Sequence, residues 1–341
     1  MKKILIIGAG AMGSAFSLPC IENNNHVSIV GTHLEKKFIK NLKKNYYHKT
    51  LKSYLHRKVK ILDYQNLIDE LKNRPDYVVI AVSSKGIDWV CKELIKNYDK
   101  KLSLILLTKG LVNYNNKMVT ISEKINKLFQ KNGLPKQDIT SIKGPCLAAG
   151  LINKIRTSTV IANRNIVSAK KVERVITTKY YKAETSKDII GIEVLSAIKN
   201  LYAMLIGASL GLSGPNIHRN IRNKYYHNTS SSLFRESLLE MKNFTVKMNG
   251  LQETTYGLAG LGDLYVSVAG GRNSKMGYYL GLGKKYQNIK RKEMKSITTE
   301  GCELALEIGP IIKKKFKRIQ FPILFALIDT ICKNQKLKIK W

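Results

Sequence analysis

The sequence predicts an α/β fold, with a doubly wound, parallel β-sheet in the N-terminal part of the chain and an all-α domain in the C-terminal part. Short apolar runs rich in β-branched residues are typical of strands that are buried on both faces. In the first half of the chain such runs alternate with helical segments, which predicts parallel pairing. From about Asp188 onward, strand runs largely disappear and helical periodicity takes over.

The predicted strands are Lys3–Ile7, His26–Val30, 76–82, 102–107 and Thr157–Ala162, and a helix over 11–23 follows the first of them. The predicted C-terminal helices are Ile189–Leu212, 231–248, 300–313 and Pro322–Cys332. Because 341 residues suit about two domains, we place a boundary near Lys187, between domains 1–187 and 188–341. The polar, basic stretch 213–227, which contains Pro215, predicts a surface loop and has the character of an insertion.

The chain is strongly basic, with 59 Lys and Arg against 24 Asp and Glu and a formal net charge of +35 at pH 7. A field of this size attracts small anions, including phosphorylated substrates. The positive residues are spread along the whole length, whereas nucleic-acid binding requires basic residues clustered on one face. Lys, Asn, Ile and Tyr, which this chain uses heavily, have AT-rich codons. Drift in an AT-rich genome therefore also explains the excess of positive charge. We therefore predict a small-molecule substrate and no nucleic-acid partner.

Cysteine and histidine usage indicates a reducing compartment and no metal site. The five cysteines form no C-x-x-C pair, and the six histidines form no H-x-x-x-H pair in a helical context. The N-terminal apolar run after Lys2-Lys3 is similar to a secretory signal, but Gly8, Gly10 and Gly13 interrupt it. No run of about 18 uninterrupted apolar residues occurs. These features predict a soluble, cytoplasmic protein without a membrane partner.

A glycine-rich turn between the first strand and its helix predicts a dinucleotide site. Gly8-Ala9-Gly10-Ala11-Met12-Gly13 is G-x-G-x-x-G in the context that the motif requires, which makes the sheet Rossmann-type. The first glycine permits a tight turn, the second lets the backbone approach a pyrophosphate, and the third lets the helix pack against the strand. The N–H groups at the helix N-terminus, including those of Ala11 and Met12, then face the phosphates.

The end of the second strand favours NADP(H), with NAD(H) still possible. NAD specificity usually rests on an acidic residue at this strand end, where the sequence instead has Thr32-His33. The nearest acid, Glu35, comes a few residues late, and Lys36-Lys37 follow it. A hydroxyl, an imidazole and two ammonium groups suit a 2′-phosphate better than a free diol. The alternative is that the two lysines belong to a solvated face.

Two segments of the helical part contain polar residues that packing alone would not select. Lys199-Asn200 stands in an otherwise apolar helix, where a buried ammonium requires a partner and a lysine that extends to solvent is an equal alternative. Asp263 is the one carboxylate of the glycine-rich run 257–264. Arg272-Asn273 follows Gly270-Gly271 at a helix start, a combination that suits phosphate binding.

From Lys3 to about Pro322 the chain resembles the soluble, two-domain NAD(P)-dependent glycerol-3-phosphate dehydrogenase family. The motifs that carry the resemblance are, in order, the glycine-rich turn, Thr108-Lys109-Gly110, Gly144-Pro145, Ile192-Glu193, Lys199-Asn200, the run 257–264, Arg272-Asn273 and Glu300-Gly301. Any one of these is common, but the ordered set is highly specific. The family reduces dihydroxyacetone phosphate to sn-glycerol 3-phosphate for phospholipid synthesis, and its members are usually homodimers.

The resemblance implies a role for each matching residue. Lys199 would supply a proton to the carbonyl oxygen on reduction and remove it on oxidation, Asp263 would accompany that lysine, and Lys109 would lie near both substrate and cofactor. The implied substrate contacts are Lys109, Gly144, Cys146, Lys199, Asn200, Asp263, Ser267, Gly271, Arg272 and Asn273, with Arg272 and Asn273 on the phosphate. The implied cofactor contacts outside the glycine-rich turn and Thr32-His33 are Lys109, Ala148, Arg272 and Glu300.

The chain also departs from the family pattern. Cys146-Leu147 replaces the usual Ser and Phe after Gly-Pro, which puts one substrate contact in doubt because a thiol is the weaker hydrogen-bond partner. The usual Arg of the Thr-Arg-Gly run before Leu-Ala-Glu-Met is missing, because residues 235–241 read Arg-Glu-Ser-Leu-Leu-Glu-Met instead. Val30-Gly31-Thr32 replaces an aromatic-Gly-Arg run. The competing interpretations are a ketopantoate reductase, which shares the opening motif and a catalytic lysine, a non-catalytic dinucleotide-binding protein, and a nucleic-acid binder.

Overall fold

The computed structural model describes residues 1–97, 102–214 and 216–339 and contains two compact units. Unit 1 comprises Met1–Lys109 and Ile121–Ile189, and unit 2 comprises Gly110–Thr120 together with the chain from Ile190 onward. Each unit has its own cluster of buried apolar side chains. The domain ranges predicted from the sequence were 1–187 and 188–341. They place residues 110–120 in the first domain, whereas the structure places them in unit 2.

Unit 1 is built on an eight-stranded sheet with the order β12-β11-β10-β7-β6-β1-β2-β5. The strands of the chain are β1 Lys3–Ile7, β2 His26–Val30, β3 Tyr47–His48, β4 Ser53–Tyr54, β5 Lys60–Leu62, β6 Tyr77–Ile80, β7 Ser103–Leu106, β8 Leu111–Tyr114, β9 Lys117–Thr120, β10 Asp138–Lys143, β11 Thr157–Ala162 and β12 Tyr181–Ser186. Helices of unit 1 are α1 Ala11–Glu22, α2 Lys36–Asn45, α3 Leu67–Lys72, α4 Ile87–Asn97, α5 Ile121–Lys131, α6 Ala148–Ile152 and α7 Ile166–Ile176.

The predicted α/β class is confirmed, and so are the five strands that the apolar runs predict. β1 pairs in parallel with β2 and with β6, and its residues from Ile4 to Ile7 are almost completely buried. An apolar, β-branched strand in this position stabilises the sheet because it removes both of its faces from water. Parallel pairing continues through β6, β7 and β10, so the carboxyl ends of these strands lie along one edge of the sheet.

The sheet is not parallel throughout, contrary to the simplest form of the prediction. β11 pairs with β10 in the antiparallel sense, and β12 then runs parallel to β11. A parallel connection must carry the chain back along the full strand, about 20 Å for six residues. The helix between β10 and β11, α6, has five residues and rises only about 7.5 Å. This helix by itself does not span the strand length, and the chain re-enters the sheet in the opposite direction.

Unit 2 is mainly helical, with α8 Ile189–Gly207, α9 Ser209–Leu212, α10 Arg219–Tyr225, α11 His227–Lys247, α12 Asp263–Val268, α13 Arg272–Gly281, α14 Tyr286–Arg291, α15 Glu300–Lys315 and α16 Pro322–Cys332. Its one hairpin within the described residues, β8–β9, comes from the segment 110–120. The hairpin is held to α15, where the Asn113 N–H donates to the Glu307 carboxylate at 3.2 Å.

The long apolar stretch Ile189–Leu212 forms the centre of unit 2. Within the described residues it is the one helical stretch that is long and apolar enough to cross a membrane, by length and composition alone. However, 89% of its most apolar window is buried inside the fold. Its apolar side chains therefore form the core of this unit.

The prediction of a surface loop over 213–227 is wrong in its second half, because residues 219–225 form α10; Pro215 lies outside the described residues. The His218 side chain caps this helix by accepting a hydrogen bond from the Asn220 N–H at 3.4 Å. Most residues of α10 are exposed, so the helix lacks the apolar stripe by which a sequence reveals a helix.

Candidate active site

The glycine-rich turn of unit 1 has the geometry that a dinucleotide requires. Gly8 follows β1 with φ +106°, and a Cβ added there would lie 2.9 Å from the Ala81 carbonyl oxygen. A Cβ at Gly13 would lie 2.3 Å from the Gly8 carbonyl oxygen, so the helix packs close to the turn. A Cβ at Gly10, in contrast, would meet no described atom within 4 Å, and no described side chain caps α1. The helix N-terminus thus has room for a pyrophosphate, which the N–H groups of its first turn can bind.

Glu35 and His48, which were not predicted as site residues, hydrogen-bond to the backbone of Ala9, one at its N–H and the other at its carbonyl oxygen. The Glu35 carboxylate accepts hydrogen bonds from the Ala9 N–H at 3.3 Å and from the Thr32 N–H at 2.8 Å. His48 Nδ1 accepts from the Leu51 N–H at 3.2 Å, so Nε2 carries the proton and donates it to the Ala9 carbonyl oxygen at 3.1 Å. Burial lowers the pKa of the His48 imidazole, which favours this neutral form.

A sequence signal existed for Glu35 but not for His48. Thr32 and Glu35 have the spacing of a capping box, and the structure contains that box at the short helical turn His33–Glu35. The pattern therefore predicts that the Glu35 side chain turns back toward the strand end. His48 reaches Ala9 only because α2 returns the chain to the turn, and no local pattern shows that.

The other predicted site residues of unit 1 follow the carboxyl ends of parallel strands. Thr32 and His33 follow β2, and the His33 ring packs against Trp89 with a centroid distance of 5.2 Å. Lys109 follows β7 and is half-buried, and Gly144 follows β10 with φ +137°. Cys146 and Ala148 come directly after that turn, at the start of α6. In open α/β sheets this edge is where ligands bind.

In unit 2 the structure brings Lys199, Asp263 and Ser267 together. The Lys199 ammonium on α8 forms an ion pair with the Asp263 carboxylate and donates a hydrogen bond to Ser267 Oγ at 2.7 Å. Lys199 is 6% exposed and Asp263 2% exposed, so the alternative of a lysine that extends to solvent is wrong. The Ser267 hydroxyl donates its own proton to the Asp263 carbonyl oxygen at 2.7 Å, which directs its lone pairs toward Lys199. The pairing satisfies a charge that burial alone would destabilise.

A π-helical turn places Asp263 at the start of α12. The turn Leu258–Gly262 lies within the glycine-rich run 257–264. A Cβ on Gly260 would lie 2.1 Å from the Thr255 carbonyl oxygen, so a larger residue cannot replace this glycine without moving the backbone. π-helical turns are rare and frequently occur at functional sites.

Asn273 connects three helices beside this cluster. Its Nδ2 donates to Asn200 Oδ1 on α8 at 2.9 Å, and its Oδ1 accepts from the Gly301 N–H on α15 at 2.9 Å. The side chain is buried, so its described bonds hold helices together. A direct contact between this side chain and a phosphate stays a prediction.

The close approach of α13 and α15 to α8 depends on one glycine in each of these two helices. A Cβ at Gly277 would lie 1.9 Å from the Met204 carbonyl oxygen, and one at Gly301 would lie 2.7 Å from that of Asn200. These contacts bring the middle of α13 against Met204 and the start of α15 against Asn200, both on α8.

Arg272 and Glu300 begin α13 and α15, and their side chains form an ion pair. Both are exposed, at 56% and 48% of the side-chain surface. A pair in this setting contributes little to stability, because water screens it and its side chains lose conformational freedom. The guanidinium therefore remains available for exchange with a more highly charged anion. Gly271 is the N-cap residue of α13.

Comparisons with known proteins agree with this fold. The family described as NAD-dependent glycerol-3-phosphate dehydrogenase N-terminus matches residues 3–169, and the corresponding C-terminus family matches residues 188–340. The NADP(+)-dependent glycerol-3-phosphate dehydrogenase of Archaeoglobus fulgidus is 31% identical over 280 residues, 82% of this chain and 80% of that protein. The glycerol-3-phosphate dehydrogenase [NAD(P)+] of Mycoplasma mobile is 28% identical over 99% of this chain and 94% of that protein.

A solved structure of the Plasmodium falciparum glycerol-3-phosphate dehydrogenase has the same fold, with a TM-score of 0.83 and 20% identity, covering 98% of this chain and 92% of that one. The family matches together extend over both units, and the relative above 30% identity aligns with most of the chain. The chain belongs to the NAD-dependent glycerol-3-phosphate dehydrogenase family, and it is an oxidoreductase.

Proposed function

We propose that this enzyme reduces dihydroxyacetone phosphate to sn-glycerol 3-phosphate with Lys199 as the proton donor, and that Lys199 removes the same proton in the reverse reaction. The observation that supports this proposal best is the buried ammonium of Lys199, held between the Asp263 carboxylate and Ser267 Oγ. When bound, the reduced nicotinamide supplies the hydride that forms the new C–H bond.

Charge considerations explain why a lysine suits this position. Reduction of a ketone develops negative charge on the carbonyl oxygen, and a cation placed beside that oxygen lowers the barrier. Lys199 then transfers a proton from Nζ to the oxygen, which completes the alcohol and leaves a neutral amine. Asp263 and Ser267 keep Nζ in one place throughout, because both continue to hydrogen-bond to it.

The substrate phosphate is assigned to Arg272, at the first position of α13. The planar guanidinium can bind two phosphate oxygens, and the helix N-terminus supplies N–H groups. A doubly charged phosphate attracts Arg272 more strongly than the exposed Glu300 carboxylate does. The remaining proposed substrate contacts are Lys109, Gly144, Cys146, Asn200, Gly271 and Asn273.

For the cofactor we propose NADP(H) in preference to NAD(H). The hydroxyl of Thr32 and the charges of Lys36 and Lys37 support this preference, as does the NADP(+) in the name of the Archaeoglobus fulgidus relative. Glu35 acts against it, because its carboxylate lies at the Thr32 N–H, close to the strand end where a 2′-phosphate would bind. The pyrophosphate is assigned to Gly8, Gly10 and Gly13 with the N–H groups of Ala11 and Met12. Ala148 and Glu300 complete the proposed cofactor contacts.

The first experiment measures oxidation of NADPH and of NADH with dihydroxyacetone phosphate, and with ketopantoate as the competing substrate. We expect rapid oxidation of NADPH with the phosphorylated ketone and none with ketopantoate. The reverse preference would establish a ketopantoate reductase. Folded protein that binds NADPH but turns over neither ketone would establish a non-catalytic dinucleotide-binding protein.

The proton-donor role is tested with Lys199→Ala beside Lys247→Ala, which removes an exposed lysine of the same unit. We expect Lys199→Ala to lower turnover by a factor on the order of 10²–10⁴, with NADPH affinity nearly unchanged. Lys247→Ala should behave as the wild type. Wild-type turnover in Lys199→Ala would disprove the assignment.

We also propose that the enzyme works as a cytoplasmic homodimer and supplies glycerol phosphate for phospholipid synthesis. Light scattering on the purified protein measures the number of subunits, and two are expected. Expression in a bacterial strain that requires external glycerol 3-phosphate should restore growth without it. Continued dependence on added glycerol 3-phosphate, with active enzyme present, would contradict the pathway assignment.

A further inference from the structure

Unit 2 contains a cavity of about 350 Å³ at which α9, α10 and α13 meet. Its lining residues are Leu210, Arg219, Arg222, Asn223, Tyr226, Tyr278 and Leu282. None of them belongs to the proposed substrate or cofactor sites. Three of them lie on α10, the helix in the stretch 213–227 whose role the family reaction does not explain. The volume is within the usual range of small-molecule pockets.

The polar side of the cavity is cationic. Arg219 and Arg222 are three residues apart on α10, so they lie on the same face of that helix. No acidic side chain is among the described lining residues. Arg222 Nε is buried and has no hydrogen-bond partner in the part of the chain that the structure describes. A buried N–H of a charged group is destabilising when it is unpaired, so this geometry points to an anionic acceptor.

The rest of the lining is apolar. Leu210 and Leu282 supply aliphatic surface, and the rings of Tyr226 and Tyr278 supply aromatic surface. A ligand that uses the whole cavity therefore combines an anionic head with an apolar body. Two guanidinium groups on one helix face offer several N–H donors at once, which suits the three oxygens of a phosphate better than the two of a carboxylate.

We propose that this cavity binds a phosphate monoester with an apolar body, with its phosphate on Arg219 and Arg222 and its body against Tyr226 and Tyr278. The site is distinct from the proposed substrate phosphate site. Tyr278 lies six residues after Arg272 on α13, a separation of about 9 Å along the helix axis.

The experiment is a calorimetric titration of the full-length protein with hexyl phosphate at physiological ionic strength, with inorganic phosphate as the second probe. Glycerol 3-phosphate is present in excess to occupy the substrate site. We expect one hexyl phosphate per chain and binding at least about tenfold tighter than that of inorganic phosphate. Arg222→Gln should weaken the binding about tenfold or more. Arg219→Gln changes an exposed side chain and should also weaken the binding of hexyl phosphate.

Two control variants separate this cavity from the other possibilities. Arg291→Gln removes the same charge from α14, outside the cavity, and should leave the affinity within twofold of the wild type. Arg272→Ala should also leave it unchanged. An equal loss in all four variants would mean non-specific attraction to a basic protein. Loss in Arg272→Ala alone would place the ligand at the substrate site, and equal affinity for inorganic phosphate would disprove the role of the apolar wall. Binding is measured without turnover, so failure of the proposed reaction and failure of this proposal are distinguishable; only the use of glycerol 3-phosphate to occupy the substrate site rests on the proposed function.

Discussion

Asn273 Nδ2 on α13 donates a hydrogen bond to Asn200 Oδ1 on α8 at 2.9 Å. Each partner directly follows a residue with a proposed role, since Asn200 comes after Lys199 and Asn273 after Arg272. The bond therefore holds α8 and α13 together next to the proton donor and the residue proposed to bind the phosphate. Asn273 also accepts from the Gly301 N–H, so one amide side chain orders both helix starts.

Asn273→Ala should lower kcat/KM for dihydroxyacetone phosphate by about tenfold to a hundredfold. It should also lower the free energy of unfolding by about 1–3 kcal/mol, because the Gly301 N–H and the Asn200 side chain lose their partner inside the fold. Initial rates and thermal melting measure the two effects. Asn288→Ala, at an exposed position on α14, is the control and should change neither. A stable variant with full activity would contradict the positioning role.

Arg272→Ala should raise KM for dihydroxyacetone phosphate by one or more decades, on the order of 2–4 kcal/mol for a charged pair that loses one partner. The expected change in kcat is smaller, since the phosphate is remote from the reacting carbonyl. Arg272→Lys keeps the charge but not the planar fork and should give an intermediate KM. Steady-state kinetics with varied ketone at saturating NADPH measure this. An unchanged KM in Arg272→Ala would mean that the phosphate binds elsewhere.

Glu35→Gln should strengthen the preference for NADPH over NADH by about tenfold, since it removes one negative charge near the site proposed for the 2′-phosphate. The amide oxygen of glutamine can still accept from the Thr32 N–H, so the turn should keep its shape. The ratio of kcat/KM for the two cofactors is the measurement. Asp69→Asn, which removes an exposed charge from α3, should leave that ratio unchanged. A ratio unaffected by Glu35→Gln would show that the carboxylate does not influence the choice of cofactor.

Acid should destabilise unit 1 through His48. Burial lowers the pKa of this imidazole in the folded protein below its value in the unfolded chain, about 6.5. Its contribution to stability is therefore present above about pH 6.5 and is lost as the pH falls below that value. Protonation would also place a hydrogen on Nδ1 against the Leu51 N–H, which now donates to it.

The measurement for His48 is the melting temperature between about pH 5 and pH 8, with and without NADPH. The His48→Gln protein should lose the part of the pH dependence that this group causes. His26→Gln, at an exposed position in the same unit, should keep the wild-type profile. If His48→Gln and the wild type lost stability in parallel on acidification, the effect would come from other groups.

Much of this protein was predictable from local sequence patterns. The strand Lys3–Ile7, the turn after it and the helix that follows are determined by neighbouring residues, because burial on both faces, a positive φ and a free helix N-terminus each require particular residue types at fixed spacing. Helix α16 was predicted with its observed bounds, Pro322–Cys332, since a proline at the start and an apolar stripe are also local signals. The ordered motifs were sufficient to indicate the family.

Only the tertiary structure decided which distant residues meet. Lys199 and Asp263 are 64 positions apart, and Asn200 and Asn273 are 73 apart, so no periodicity within a helix could pair them. Whether Lys199 was buried or solvated depended on the packing of α12 against α8. Likewise, the antiparallel direction of β11 relative to β10 was set by the course of the connection between them, and residues 110–120 belong to unit 2, where their hairpin is hydrogen-bonded to α15. A local pattern determines backbone conformation and the face a residue takes, whereas the partner on that face depends on how whole elements pack.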